Sequence, residues 1–191
     1  MPITTNQKPY RIPSALRDLV LVDMLELSGS TVAAAQLLNV SQSSVSRRYR
    51  RIATELGLER RQSDGAPGRR YGDADWMRLL RQGVNRHRID CGVLRLGGPA
   101  KSEALICRWG WTEWIGLPVV TMAHADELLQ EELLDGLVLD AAHCHRHSDN
   151  QLIPLTHAQA EPMWLYCRPD PLVVAAAERL ALAAGDVDPK N

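Results

Sequence analysis

GSTVAAAQLLNVSQSSVSRRYRR, residues 29–51, sets a small-residue helix, a tight turn and a Ser/Gln/Arg-bearing helix in immediate succession. Ala33, Ala34, Ala35, Leu37 and Leu38 favour a short helix. Asn39 tolerates the left-handed conformation that ends it, and Val40 is expected to tuck into the core. Ser41 then caps the next helix. In that helix Val45, Tyr49, Ile52 and Leu56 share one face, which is expected to pack on the preceding helices. The opposite face carries Ser43, Ser46, Arg47 and Arg50, with Gln42 at the leading end and Arg51 beside them. Gln pairs with adenine, Arg with guanine or phosphate, and Ser with base or backbone, so the chemistry suits a DNA major groove. An ordinary helical hairpin with a solvated polar face is the bland alternative.

The charge distribution points the same way. The formal net charge is −1, yet residues 1–90 hold 15 Lys plus Arg against 9 Asp plus Glu, and residues 91–191 hold 7 against 14. A basic half facing phosphate and an acidic half facing solvent or partners would produce this split. Residues 60–71, RRQSDGAPGRRY, flank a Gly-Ala-Pro-Gly turn with basic residues, as a β-hairpin wing lying on the DNA backbone would. Arg69 and Arg70 are the phosphate candidates there, although the flanks have little strand propensity.

The segment GSTVAAAQLLNVSQSSVSRRYRRIATELGL resembles the N-terminal winged helix-turn-helix of LysR-type transcriptional regulators. The matching positions are Gly29, Ser30, Ala34, Ala35, Leu38, Val40, Ser41, Gln42, Ser43, Ser46, Arg47, Arg50, Glu55, Leu56 and Gly57. Two departures stand out: Thr31 occupies a position where the family usually has Phe, and Glu59-Arg60-Arg61 replaces an apolar ending. The resemblance implies a regulator that binds double-stranded DNA as a homodimer and takes a small-molecule effector.

Upstream, Pro2, Pro9 and Pro13 mark an irregular lead-in. A helix follows with an apolar stripe of Leu16, Leu19, Val20, Met24 and Leu27, ended by Ser28-Gly29. Over residues 73–87, Trp76, Leu79, Leu80, Val84 and His87 form another helical stripe. In the family a linker helix at this place pairs with its twin, so residues 73–88 are the expected dimer helix. Gly83 weakens its interior by about 1 kcal/mol relative to Ala.

The second half alternates. Gly92–Gly97 reads as a strand, Lys101–Trp114 as a helix, Pro118–Met122 as a strand, Asp126–Leu134 as a helix, Leu137–Ala142 and Met163–Cys167 as strands, and Leu172–Ala184 as a helix. Such alternation argues for a parallel sheet. It also resembles the first subdomain of the LysR-type effector domain, itself like a periplasmic binding protein. The second subdomain has no room before Asn191, so half of the family's effector cleft is expected to be missing. Gly98, Lys101 and Ser102, at a strand-to-helix turn, are the remnant effector-site candidates, against a plain structural turn. The expected architecture is α+β overall, an all-α winged helix-turn-helix followed by a small α/β half domain. The expected boundaries are residues 1–72 for DNA binding, 73–90 for the linker helix and 91–191 for the truncated effector-like domain.

His143, Cys144, His145 and His147 form HCHRH, whose imidazoles and thiolate suit Zn, Cu or Ni. No carboxylate follows at a familiar ligand interval, so a polar loop explains the same letters and no metal or other cofactor is expected. Cys91, Cys107, Cys144 and Cys167 lack a CxxC pair and are expected to be reduced thiols. Hydrolase and phosphate-loop motifs are missing, so the chain is not expected to be an enzyme. It has neither a signal-peptide pattern nor an apolar run long enough to span a bilayer, which places it in the cytoplasm with no membrane partner. Two rival functions remain: a shortened regulator acting through heterodimers, and a metal-binding protein using residues 143–147.

Overall fold

The computed structural model describes residues 12–61, 69–72, 74–106, 112–140, 149–155 and 162–185. Helix α1 (Arg17–Ser28) is the hub of the first half and closes at Gly29, whose φ of 69° is left-handed. Every residue from Val20 to Leu27 is buried, Asp23 and Glu26 included, because α1 is packed on more than one side. Helix α2 (Thr31–Leu37) begins at Ser30, whose Oγ accepts from the Ala33 amide at 3.1 Å. It ends as expected at Asn39, with φ 51°. The Val40 amide donates to the Ala35 carbonyl and the Asn39 amide to that of Gln36, the paired bonds of a Schellman cap. Ser41 caps helix α3 (Gln42–Leu56) through the Ser44 amide at 3.2 Å.

Two expected core residues lie outside instead. Val40 is exposed, since its amide rather than its side chain closes the turn. Leu56 is exposed on the last turn of α3, and Leu58, beyond the left-handed Gly57, fills the core in its place. Val45 and Ile52 are buried and Tyr49 packs beside them.

Helix α4 (Asp75–Asp90) packs on the rest of the chain through a face other than the apolar stripe read from its sequence. Met77, Arg81, Val84, Asn85 and Arg88 face inward, whereas Trp76, Leu79 and Leu80 are exposed. Of the anticipated stripe only Val84 is buried. Carboxylates wait on the inner side, so arginines rather than leucines fill that face.

The rest of the chain builds one five-stranded sheet from β1 (Leu94–Gly98), β2 (Thr112–Gly116), β3 (Gly136–Asp140), β4 (Gln151–Leu155) and β5 (Met163–Cys167). The strand order is β2-β1-β3-β5-β4. The sheet is mixed, not parallel: β1 runs parallel to β2 and β3, but β5 is antiparallel to β3 and to β4. Two element types are exchanged relative to expectation. Within the Lys101–Trp114 stretch the described residues form a 3-10 turn and the short helix α5 (Glu103–Ile106), and Thr112–Gly116 is the edge strand beside β1. Residues 119–122, expected as strand, form the short helix α6 (Val119–Met122), started by Pro118 at φ −62°. Helix α7 (Ala125–Gln130) leads to β3, and α8 (Pro171–Gly185) follows β5. Strand β4 was not expected; it is the other edge, where Pro154 costs no ladder bond.

The core has two parts. One apolar cluster runs without a break from α1, α2, α3 and α4 through Tyr71 to Ile115, Leu117, Leu128, Leu133, Leu137 and Tyr166. The other lies on the far face of the sheet, where Leu96, Val138 and Leu165 meet Val173, Ala177 and Leu180 of α8.

Candidate nucleic-acid interface

The two capped helices set their first residues, Thr31 and Gln42, side by side. Gln42 Nε2 donates to Thr31 Oγ1 at 3.0 Å. Ser41 and Ser43 share a hydroxyl hydrogen bond at 3.1 Å, and both are exposed. Ser46 is half-buried, and Arg47 and Arg50 are exposed. The four arginines of α3 divide evenly. Arg48 and Arg51 each reach Asp18 of α1 at 2.7 Å, and Arg51 lies 3.9 Å from Glu55. Burial raises the Asp18 pKa, but hydrogen bonds and attraction from Arg48 and Arg51 outweigh it and hold the carboxyl below its usual range. Arg51, expected on the DNA face, is thus engaged in a local ion pair. Arg47 and Arg50 have no carboxylate partner among the described residues.

Residues 62–68, where the tip of a wing was expected, lie outside the described residues, but the segments on either side of them are placed. The Arg61 amide donates to the Arg70 carbonyl at 3.0 Å, which joins the two flanks. Glu26, fully buried, accepts from the amides of Arg70 (3.1 Å), Tyr71 (2.5 Å) and Gly72 (3.0 Å). Tyr49 donates its hydroxyl to the Tyr71 carbonyl at 2.9 Å, Tyr71 donates its own to the Gly29 carbonyl at 3.0 Å, and the rings meet edge to face at 5.4 Å. Arg60 sits over the Tyr71 ring at 5.1 Å.

Arg70, one of the two phosphate candidates, has internal partners. Its guanidinium points back into the protein, to the Glu26 carbonyl oxygen at 2.5 Å and the Glu26 carboxylate at 3.8 Å. Arg69 is half-exposed and lies between Asp75 at 3.8 Å and Glu131 at 3.6 Å. Glu26 and Asp18 are residues that sequence reasoning missed. The available signal was the presence of carboxylates within the otherwise apolar run of α1.

A buried ionic network ties this unit to the sheet. Asp23 binds Arg81 at 2.8 Å and lies 3.8 Å from Arg95, which reaches Glu113 at 2.9 Å. Asp135 pairs with Arg88 and with Arg168, the latter at 3.1 Å. Burial opposes the charge on Asp135, yet Arg88 and Arg168 hold its pKa low, while Asp23 and Glu113 hold the buried Arg81 and Arg95 firmly protonated.

The turn that carries Gly98, Lys101 and Ser102 is closely packed at its first and last positions. Gly98 is walled by Trp114 and Val138, where a Cβ would come within 2.8 Å of the indole. Ser102 is buried with its hydroxyl on Met163 Sδ at 3.7 Å, and Lys101 is exposed. His143, His145 and His147 lie outside the described residues. Among the described residues no group of three His, Cys, Asp or Glu is arranged to hold a metal, and no helix is long and apolar enough to cross a membrane.

No protein-family model matches the chain, and no curated protein matches it. Its neighbours among solved structures are LysR-type transcriptional regulators. ArgP from Mycobacterium tuberculosis is 20% identical, with 72% of this chain and 51% of that one covered and a TM-score of 0.34. CrgA, a LysR-type regulator from Neisseria meningitidis, is 18% identical over 73% and 53%, with a TM-score of 0.32. An H2O2-bound mutant of Corynebacterium glutamicum OxyR is 16% identical over 78% and 51%, with a TM-score of 0.34. The chain spans about half the length of these regulators, and superpositions this loose carry no argument for a shared activity.

Proposed function

We propose that the chain is a cytoplasmic, DNA-binding transcriptional regulator of LysR type that reads a pseudo-palindromic site as a homodimer. One observation carries the reading: the outward face of α3 presents Gln42, Ser43, Arg47 and Arg50 with no neutralising carboxylate among the described residues, while neighbouring arginines are engaged in internal ion pairs. A helix face that keeps its cations free while its neighbours neutralise theirs is suited to phosphate and base edges. Residues 1–72 form the DNA-binding unit and residues 91–191 an effector-like unit, joined by residues 73–90. The exposed Trp76, Leu79 and Leu80 of α4 are the surface through which two copies pair.

In vitro site selection tests the first part, and light scattering of the parent and Leu79→Glu tests the second. The expected result is an enriched two-half-site motif, a dimeric parent, and a monomeric variant with weakened binding. A parent that enriches no motif would overturn the regulator reading. A parent that is monomeric at micromolar concentration, yet binds a single half-site tightly, would overturn the dimer.

A further inference from the structure

We infer that Thr31 is a positioning residue for base readout, and that it presets Gln42 to select adenine. The inference rests on the DNA-binding reading above. An unrestrained glutamine is a weak discriminator, because its amide turns freely and can offer either an acceptor beside a donor or two donors. The first arrangement matches adenine, which presents the N7 acceptor and the N6 amino donor; the second matches guanine, which presents the N7 and O6 acceptors.

Here the ambiguity is removed before DNA arrives. One N–H of Gln42 Nε2 is held by Thr31 Oγ1 at 3.0 Å. The second N–H and the free Oε1 are left as one donor and one acceptor. Gln42 is exposed at the first position of α3, and Thr31 stands at the first position of α2, so the clamp lies at the helix ends that approach a groove. The backbone on both sides is itself fixed, since Ser30 and Ser41 cap the two helices through the Ala33 and Ser44 amides. Fixing the amide also lowers the rotamer entropy lost when the base is bound.

A hydroxyl at position 31 is necessary for this. A valine of the same shape would fill the space but release the amide, and a serine would keep the bond. Site selection and competition titrations should therefore be run on the full chain with the parent, Thr31→Val, Thr31→Ser, Gln42→Ala and the Thr31→Val/Gln42→Ala pair. The parent should prefer adenine over guanine at one position of each half-site by roughly 5- to 150-fold. That preference should fall by at least about 5-fold in Thr31→Val and persist in Thr31→Ser, while affinity for random DNA stays unchanged. In the Gln42→Ala background, Thr31→Val should have no further effect. Without DNA, the NMR shift of the Gln42 side-chain amide proton that Thr31 holds should move upfield in Thr31→Val and stay near the parent's in Thr31→Ser.

A parent that selects a specific site with guanine at that position overturns the preset orientation. So does an adenine preference that survives Thr31→Val. If the parent selects no sequence at all, the regulator reading falls and this inference falls with it, an outcome distinct from either of the others.

Discussion

Removing the Glu26 carboxylate should loosen residues 70–72 from helix α1. In Glu26→Ala, the amides of Arg70, Tyr71 and Gly72 lose their shared acceptor, and the Arg70 guanidinium loses the charge 3.8 Å away. An unsatisfied buried donor costs about 1–3 kcal/mol, so three would cost up to roughly 9 kcal/mol if nothing moved. Arg70 is part-exposed, however, and its side can relax toward water. Breaking one partner out of a buried charged pair typically costs about 3–5 kcal/mol, and that is the loss expected here. Glu26→Gln keeps one acceptor oxygen and the side-chain volume, so its cost should be smaller, about 1.5–3 kcal/mol. Urea unfolding of the three proteins gives these differences, and hydrogen exchange at residues 70–72 locates them. The expected order is parent, Glu26→Gln, Glu26→Ala, with exchange at 70–72 accelerated more than in α2. Stability of Glu26→Ala within about 1 kcal/mol of the parent, or unchanged protection at 70–72, would refute the anchoring role.

Salt dependence should separate free arginines from engaged ones: Arg47→Ala and Arg50→Ala each lower the log-log salt slope of DNA binding by about 0.9, while Arg70→Ala leaves the slope and lowers Tm. A slope change in Arg70→Ala matching that of Arg47→Ala would contradict the assignment. Asp135 titrates below an unfolded value of about 3.9, so its stabilisation is present above that pH and is lost as pH falls through the lower folded value. Stability of Asp135→Asn should therefore decline less steeply than the parent's on acidification below about pH 4, although it starts lower; parallel curves by urea titration would count against this. Burial pushes the Cys167 thiol up to about 11, helped by the charges of Asp135 and Glu178, whereas Cys91 is exposed. In a Cys107→Ser/Cys144→Ser background a thiol reagent at neutral pH should modify Cys91 rapidly and Cys167 only on unfolding, and equal rates in the native protein would be inconsistent with it.

The helix ends were legible in the sequence, because capping is local chemistry. Ser41 bonds an amide three residues on, and Asn39 adopts its positive φ for reasons contained in the turn. The inner face of α4 was not legible. Hydrophobic periodicity picked out the stripe of Trp76, Leu79 and Leu80 but not the opposite face, where Asp23, Glu131 and Asp135 draw Arg81 and Arg88 inward. Residues 112–116 and 119–122 exchanged type for a similar reason. Thr112–Gly116 is strand because β1 offers an open edge in register, and Val119–Met122 is helical despite its β-branched residues because Pro118 starts a turn there. For the candidate site, the composition of the outward face of α3 could be read, but the pairing of Arg48, Arg51 and Arg70 could not. Their partners Asp18 and Glu26 lie from 30 to 44 residues away.

That pairing changes what the charge asymmetry means. The basic surplus of residues 1–90 reads at first as a footprint for phosphate, yet Arg69, Arg81 and Arg88 contact Glu131 or Asp135 of the acidic half. Part of the surplus therefore serves the contact between the two halves. Buried ion pairs of this kind add little net stability, since desolvation offsets most of their attraction, but they strongly penalise an arrangement that leaves any member unpaired. The apolar cluster shared by α1, α4 and the sheet supplies the non-directional attraction, and the network of Asp23, Arg81, Arg95 and Asp135 specifies how the surfaces meet. Because Asp23 and Glu26 are neighbours on α1, the carboxylate that holds Arg81 of α4 and Arg95 of β1 and the one that holds the amides of residues 70–72 belong to a single turn. A displacement of that turn would reach residues 70–72 and β1 together, which couples the placement of the chain that follows α3 to the packing of the sheet without any residue of α3 being touched.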